Sequence, residues 1–143
     1  MRLIEKAYAI AKHELGVHET GNNNPRILDY LRCVDLRESE LEESTPWCSA
    51  FANFCVQKSG GRGTHNAMAR SWLHWGKKLD IPTEGCIVVF ERGGNDYSGH
   101  VAFFVGYDEK KQMVKVLGGN QKDSVCYSDY FTHSILGFRT SID

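Results

Sequence analysis

The residue best placed for covalent chemistry is Cys48, at the start of a predicted helix. Ser44 or Thr45 can cap this helix, and Pro46 suits its first turn. Backbone N–H groups and the helix dipole stabilise an anion at such an end, which lowers the pKa of a thiol and makes it nucleophilic. The alternative is a buried structural cysteine, because a free cysteine often behaves as a small hydrophobic residue.

A cysteine nucleophile needs a base within hydrogen-bonding reach and a third group that orients the base. Of the six histidines, His100 is distinctive because it follows Gly99 and opens an apolar strand. If that strand pairs with the next one as a hairpin, Asn120 reaches the same end of the sheet. Its side-chain oxygen can then accept a hydrogen bond from the imidazole, and Gln121 is an alternative in the same role. This order predicts Cys48, His100 and Asn120 as a catalytic set of the papain type.

The nucleophile helix is one of several predicted in the first half of the chain. Residues 3–15 have amphipathic spacing and are followed by Gly16, and Pro25 can open a second helix. The nucleophile helix and a short helix over 67–75 come next. The apolar residues at helical spacing around the nucleophile, which are expected to form one buried face, are Trp47, Phe51, Phe54 and Cys55.

The second half of the chain changes to strand-like patterns after Pro82. Five segments are predicted as strands: 86–91, 100–107, 112–118, 124–128 and 134–139. A glycine-rich loop over 93–99 precedes the strand of His100, and Gly119 is expected to break the third strand. Helices followed by an antiparallel sheet are typical of the α+β class, with the N-terminal helices packed on the C-terminal sheet.

Bulk properties narrow the possible functions. The chain has 143 residues and a net charge of −1, which suits one domain and gives no basic field for nucleic acid or anionic lipid. No apolar run is long enough to cross a membrane. The N-terminal residues are typical of an amphipathic helix rather than a signal peptide, so we expect synthesis in the cytoplasm without an export signal.

Metal and disulfide chemistry have little support in the sequence. The five cysteines are an odd number without a Cys-x-x-Cys pair, which fits neither a disulfide framework nor a common zinc site. The acidic loop of 35–43 lacks the tight-turn glycine of a calcium loop. Zinc bound by Cys48, His100 and another Cys or His is an alternative with atypical spacing. We therefore expect no metal and no organic cofactor.

Three aromatic side chains are candidates for the walls of a substrate groove. Trp47 precedes the nucleophile, Trp72 lies on the predicted short helix, and Tyr97 lies in the glycine-rich loop. Each could instead belong to the core, since aromatic residues serve both uses. Gln121 is a further candidate for contact with substrate.

Six stretches of the chain also match a family pattern in order. They are Asn24–Ile27 with Tyr30–Leu31, Thr45–Phe51, Ala69–Leu73, Gly85–Phe90, Gly99–Phe103 and Leu117–Gln121. On these motifs the chain resembles the CHAP-type (cysteine, histidine-dependent amidohydrolase/peptidase) branch of the papain-like, NlpC-type peptidoglycan hydrolases. It is particularly similar to a small group associated with phages and prophages.

The resemblance implies a papain-like fold and one catalytic domain over residues 1–143, without a separate cell-wall-binding domain. It also implies Cys48 as nucleophile and His100 as base. Many relatives carry an acidic third residue near the position of Gly118, where glycine cannot serve. That departure leaves Asn120 in the third place, with Gln121 as its alternative. Some relatives bind calcium just before the nucleophile, a pattern that the acidic loop of this chain reproduces poorly.

The implied reaction is hydrolysis of an amide bond in the stem peptide of peptidoglycan, by an N-acetylmuramoyl-L-alanine amidase or a peptidoglycan endopeptidase. The implied setting is a phage endolysin or a bacteriolytic effector that acts on the cell wall after release or delivery. An immunity or delivery protein is the partner that the effector setting implies. A monomer is expected, with no nucleic-acid or membrane partner. The alternative is a catalytically silent papain-like module that binds without turnover.

Overall fold

Three α-helices occupy the first part of the chain. A computed structural model describes all residues, 1–143. The helices are α1 (Leu3–His13), α2 (Pro25–Leu31) and α3 (Cys48–Lys58), with 3₁₀ helices at Glu38–Glu40, Ala69–His74 and Thr132–Ser134. Gly16, which follows α1, has a φ of +97°, and glycine adopts this left-handed conformation without a steric penalty. The short helix predicted over 67–75 is the second of the 3₁₀ helices.

Six strands form one antiparallel sheet. They are β1 (Lys77–Leu79), β2 (Ile87–Glu91), β3 (Gly99–Asp108), β4 (Met113–Gln121), β5 (Ser124–Phe131) and β6 (Ile135–Thr140). Their order across the sheet is β1-β6-β2-β3-β4-β5, and all neighbours are antiparallel. The predicted α+β class is confirmed. The sequence did not predict β1, because three residues are too few to show an alternating pattern.

Helix α3 is enclosed by the rest of the protein. It packs against α1, α2, β3 and β4, and its residues from Cys48 to Val56 are all buried. The four apolar residues predicted to form one buried face are all buried in the same core cluster, and burial extends beyond that face to the other sides of the helix. Its small residues, alanine, serine and cysteine, let the neighbouring elements approach it closely.

Helix α3 begins at Cys48, two residues later than the predicted cap implies. Trp47 occupies the N-cap position, and no side chain caps the helix. The hydroxyl of Thr45 instead donates to the carbonyl of Glu40 at 2.7 Å. The predicted cap from Ser44 or Thr45 is therefore wrong. Cys48 nevertheless lies in the first turn, where backbone N–H groups have no partner within the helix.

Strand β4 continues past its predicted break at Gly119 and ends at Gln121. The register of β4 with β5 shifts between Gly118 and Gln121, and Asn120 has a φ of 58°. Such a bulge changes which face of the sheet the following side chain points to. The bulge therefore decides which of the two polar residues, Asn120 or Gln121, turns toward β3.

Apolar side chains cover both faces of the sheet. On one face, a cluster of 24 buried residues joins the three helices to the sheet. On the other face, a smaller cluster of 8 buried residues includes Phe90, with Tyr130 packed on it. Phe90 is the Cα partner of His100, so the second cluster extends to the start of β3.

The structure contains five free thiols and no disulfide. It also contains no group of three or more His, Cys, Asp or Glu side chains arranged to hold a metal ion. None of the helices combines the length and the apolar character that crossing a membrane requires.

Candidate active site

Cys48 lies against the strand that carries the predicted base. It is the first residue of α3, and 7% of its surface is exposed. The backbone N–H groups of Val101, Ser49 and Cys48 itself act on its Sγ in the direction that favours the thiolate. Val101 directly follows His100 in β3. The start of α3 and the start of β3 therefore meet, as the proposed chemistry requires.

The thiol of Cys48 is held neutral in the resting protein. Burial raises its pKa by more than the backbone N–H group of Val101 and the charge of Arg92 lower it. Removing a thiolate from water costs more than these groups restore. The lowered pKa predicted from the helix terminus is therefore wrong for this state of the protein.

His100 is buried between two aromatic rings, with 1% of its surface exposed. The ring centroids of Phe90 and Tyr130 lie 6.2 and 5.1 Å from that of the imidazole. Burial lowers the pKa of His100 to about 4; the hydrogen bond to Gln121 opposes this change and the charge of Arg92 adds to it. The imidazole is therefore neutral at pH 7, which is the form that can accept a proton.

Gln121 decides which nitrogen of His100 carries the hydrogen. Its Oε1 is 2.8 Å from Nε2 of His100, and its side-chain amide donates to the carbonyl of Cys126 at 2.7 Å. Because that carbonyl can only accept, the amide group must point toward it and Oε1 must face the imidazole. Nε2 therefore carries the hydrogen and Nδ1 keeps a free lone pair. This Nδ1 is buried and has no hydrogen-bond partner.

Gln121, and not Asn120, is the side chain that is hydrogen-bonded to His100. Asn120 is half-buried in the bulge of β4 and makes no hydrogen bond to His100, whose one partner is Gln121. A Cβ at Gly118 would lie 2.7 Å from Oε1 of Gln121. Gly118 lies near the position at which many relatives carry an acidic third residue. Because glycine has no side chain, it leaves room there for the amide of Gln121. The prediction of Asn120 against the imidazole is wrong, and its stated alternative fits.

Trp47 and Trp72 are core residues and do not line a groove. Both are fully buried. The indole N–H of Trp47 donates to Glu19 at 3.0 Å, and that of Trp72 donates to Ser49 at 2.9 Å. With their polar atoms satisfied inside the protein, neither ring is available to substrate. The predicted substrate contacts of these two residues are therefore wrong.

The loop ahead of β3 is anchored immediately before His100. The guanidinium of Arg70 donates to the carbonyls of Asn95 and Ser98, at 2.6 and 2.8 Å. The side chain of Asn95 accepts from the backbone N–H groups of Tyr97 and Ser98. Tyr97 is 64% exposed in this loop. Of the three predicted groove aromatics, it is the one that a substrate can reach.

A buried carboxylate holds the segment that precedes the nucleophile. Glu43 accepts from the backbone N–H groups of Thr20 and Asn24, at 3.0 Å each. The N–H of Asn24 makes the largest contribution to lowering the pKa of Glu43. The loop held in this way also carries Glu19, which accepts from Trp47. Glu43 therefore links the position of this loop to the start of α3.

Replacing Glu43 with glutamine is expected to lower the melting temperature by a few degrees at pH 7, because an amide offers one neutral acceptor to two backbone donors. The pKa of Glu43 is lower in the folded protein than in the unfolded chain. The stabilisation is therefore fully present at pH values above the ordinary pKa of glutamate, and it is lost as the pH falls through the pKa of Glu43 in the folded protein. The two melting temperatures should therefore converge in acid. Exposed Glu42, changed to glutamine, is the matched control in melts followed by circular dichroism. An equal fall in melting temperature for Glu43→Gln and Glu42→Gln at pH 7 would contradict the role of Glu43 in holding this loop.

The buried His100 is expected to make the protein less stable in mild acid. Its pKa is about 4 in the fold against 6.5 for the exposed group, so between these values only the unfolded chain binds the proton. The stability is fully present above about pH 6.5 and falls by roughly 3 kcal/mol as the pH approaches 4. Urea unfolding at pH 7 and pH 4.5 measures this loss. His100→Gln should remove most of the pH dependence, and an unchanged slope would contradict the assignment.

The fold and this site define a class of protein. A helix that begins with a cysteine and packs on an antiparallel sheet, beside a strand that carries a histidine near its start, is the arrangement of papain-like cysteine hydrolases. The family model described as the CHAP domain matches residues 41–120, more than half of the chain, including Cys48 and His100. The chain belongs to the CHAP domain family, whose members are peptidoglycan hydrolases of the cysteine- and histidine-dependent amidase or peptidase type. A search for similar curated proteins finds no match.

Proposed function

We propose that the chain hydrolyses an amide bond of the peptidoglycan stem peptide, with Cys48 as nucleophile, His100 as base and Gln121 as the residue that orients the base. The observation that carries this proposal is the buried, unpartnered Nδ1 of His100 on a strand that contacts the sulfur of Cys48. Buried polar atoms without a partner are rare, and a catalytic role is one of the recognised reasons for them.

The reaction runs in two halves on these residues. The proton of the Cys48 thiol passes to Nδ1 of His100 as the sulfur attacks the amide carbonyl carbon. Unpaired backbone N–H groups in the first turn of α3 stabilise the negative charge on the carbonyl oxygen. His100 then gives the proton to the leaving amine as the C–N bond breaks, which leaves a thioester on Cys48. Water attacks the thioester and gives its proton to His100, and the carboxylate product leaves as Cys48 recovers a proton.

The neutral resting pair is compatible with this sequence of steps. A separated thiolate and imidazolium would be costly in so dry a site, because each charge loses its hydration. Proton transfer during the attack avoids that state, since charge then develops where the helix N–H groups face it. The hydrogen on Nε2 stays with Gln121 throughout, so Nδ1 remains the atom that accepts and returns the proton.

The test is release of soluble fragments from purified peptidoglycan. The wild-type protein should release them, and His100→Gln should be slower by a factor of about 10² or more. Mass spectrometry of the products then identifies the bond. A free lactyl carboxylate and a free alanine amine indicate an N-acetylmuramoyl-L-alanine amidase, and new termini within the peptide indicate an endopeptidase. If the wild-type protein released no soluble fragments from peptidoglycan with direct cross-links or from peptidoglycan with indirect cross-links, the proposal would be contradicted.

The setting we propose is a phage endolysin or a bacteriolytic effector, on the support of the family alone. Either role needs the protein to reach the wall side of the inner membrane. Bacteria that express the chain with a fused export signal should lyse, while cells that express it without the signal should not. Export of the wild type without lysis would contradict both roles.

A catalytically silent binding module is the second candidate function. The observation that favours it is the absence of a hydrogen bond between His100 Nδ1 and Cys48 in the structure. The hydrogen bond between a catalytic cysteine and its histidine is often long or poorly aligned before substrate binds, so its absence here does not by itself distinguish the two functions. A silent module would sediment with insoluble peptidoglycan and release nothing, and Cys48→Ala would sediment equally. Alkylation by iodoacetamide separates the two functions poorly, because a buried neutral thiol reacts slowly in either case.

A further inference from the structure

Tyr130 contacts His100, although the strand register alone would place the two residues far apart. Tyr130 in β5 is the Cα partner of Val114 in β4, and Val114 is also the partner of Tyr107 in β3. Tyr107 lies seven residues beyond His100 in the same strand, which is roughly 23 Å along an extended chain. The ring centroids of Tyr130 and His100 are nevertheless 5.1 Å apart. The sheet is therefore strongly curled between these strands.

The short connection from β5 to β6 accounts for this contact. Residues 131–134 alone separate Tyr130 from Ile135, the first residue of β6. Ile135 is the Cα partner of Phe90 in β2, and Phe90 is the partner of His100. The connection thus holds the end of β5 beside β6 and β2. Tyr130 thereby reaches His100 from a strand that is not a neighbour of β3 in the sheet.

The ring of Tyr130 completes an aromatic enclosure of the imidazole. The ring centroid of Phe90 lies 6.2 Å from that of His100 and 4.9 Å from that of Tyr130, so the three rings contact one another. The imidazole has one hydrogen bond, from Nε2 to Oε1 of Gln121 at 2.8 Å. A single hydrogen bond leaves a ring free to tilt, whereas contacts between rings resist the tilt. Gln121 and the two aromatic rings therefore set the direction of Nδ1 together.

Tyr130 also stands between the imidazole and solvent. It is half-buried and borders a surface depression of about 380 Å³, whereas 1% of the surface of His100 is exposed. Nδ1 of His100 is a buried acceptor without a partner, so water that reached the ring would bind to it. The thiol of Cys48 would then have to displace that water before it could give up its proton.

We propose that Tyr130 is a positioning residue for the base: its ring holds the imidazole of His100 in the orientation that receives the proton of Cys48, and it keeps water away from Nδ1. This inference rests on the proposed function. It assigns the task to the ring and not to the hydroxyl, because the contact with His100 is made between the two rings. Tyr130→Phe should therefore keep the task, and Tyr130→Ala should lose it.

The kinetic test uses soluble muropeptides prepared from purified peptidoglycan. Tyr130→Ala should lower kcat by roughly tenfold or more and leave KM within about threefold, because the ring orients the base. Tyr130→Phe should stay within about twofold of wild type. The matched control is Tyr127→Ala, on the same strand but three residues away and so on the opposite face. Tyr127 packs against Lys115 instead, so its loss should leave kcat within about twofold.

Titration of His100 by NMR gives a readout that a merely structural role would not move. Its pKa is about 4 in the folded protein, and Tyr130→Ala admits water to the ring. The midpoint should therefore move by about one pH unit or more toward the ordinary value of 6.5. Tyr130→Phe and Tyr127→Ala should leave it in place. Every variant keeps the other titratable and charged groups around Tyr130 and the imidazole, which are Arg92, Cys48 and Cys126.

Three results would overturn the inference. They are an unmoved midpoint or an unchanged kcat in Tyr130→Ala, equal effects from Tyr127→Ala, and a Tyr130→Phe variant as slow as Tyr130→Ala, which would assign the role to the hydroxyl. If Tyr130→Ala does not fold, Tyr130→Leu replaces it with the same expected results, because leucine keeps apolar bulk without a planar ring.

The titration also separates this inference from the proposed function. If the wild type releases no fragments from peptidoglycan, the proposed function fails. A midpoint that moves in Tyr130→Ala, and stays in place in Tyr130→Phe and Tyr127→Ala, would still support the ring of Tyr130 as the group that encloses the imidazole.

Discussion

Cys48→Ala is expected to reduce the release of peptidoglycan fragments by a factor of about 10³ or more. The thiol is the only atom in the proposed reaction that forms a bond to substrate, and removal of a covalent nucleophile costs several orders of magnitude in related mechanisms. Initial rates on purified peptidoglycan, with product analysis by mass spectrometry, measure the loss. The alanine protein should still bind the insoluble wall, because the change removes one sulfur atom.

The matched control for this prediction is Cys55→Ala. Cys55 lies two turns further along α3 and is fully buried, so its replacement creates a comparable small cavity in the same helix at a cost of about 1 kcal/mol. We expect its activity to stay within about threefold of wild type. Equal residual activity in the two alanine variants would show that the loss arises from a weakened helix. Wild-type rates in Cys48→Ala would exclude the covalent mechanism altogether.

Gln121→Ala is expected to lower kcat by roughly 5- to 150-fold, and Asn120→Ala by less than about threefold. The first change removes the acceptor for Nε2 of His100, which lies 2.8 Å away, and leaves a buried donor unpaired at a cost of about 1–3 kcal/mol. The imidazole is then free to rotate or to change its tautomer. Asn120 has no contact with the ring, so its loss should leave the base in place.

Gln121→Glu provides a readout that a purely structural role would not give. The carboxylate keeps an acceptor for Nε2 and places a negative charge beside the imidazole, which raises the pKa of His100. We therefore expect partial recovery of kcat relative to Gln121→Ala, with the acidic limb of the pH–rate profile moved to higher pH. Equal losses from Asn120→Ala and Gln121→Ala, or a glutamate variant with an unshifted profile, would contradict the assignment of Gln121.

The periodic parts of the fold were predictable from the sequence. Apolar spacing gave α1, α2 and α3 and five of the six strands, because repeated burial on one face leaves a pattern that local sequence carries. The order of these elements gave the α+β class. The positions of Cys48 on a helix start and His100 on a strand start follow from the same local signals, and the family motifs select them from five cysteines and six histidines.

The environment of the reactive pair was not predictable from local signals. The helix terminus indicates a lowered pKa for Cys48, but the residues that bury it come from distant parts of the chain and reverse the direction. The same holds for Trp47 and Trp72, whose indole partners lie 28 and 23 residues away in sequence. Composition shows that a tryptophan is present, whereas its burial depends on what packs over it.

The sequence by itself determined which elements form and which residues can serve as nucleophile and base, because helical and strand periodicity and the family motifs are local properties. Only the tertiary structure decided between Asn120 and Gln121. A bulge in β4, a left-handed Asn120 and the space above Gly118 together turn the Gln121 amide toward His100. These features depend on the register between paired strands and on a contact between residues 21 positions apart in the chain, His100 and Gln121, and no local pattern records either of them.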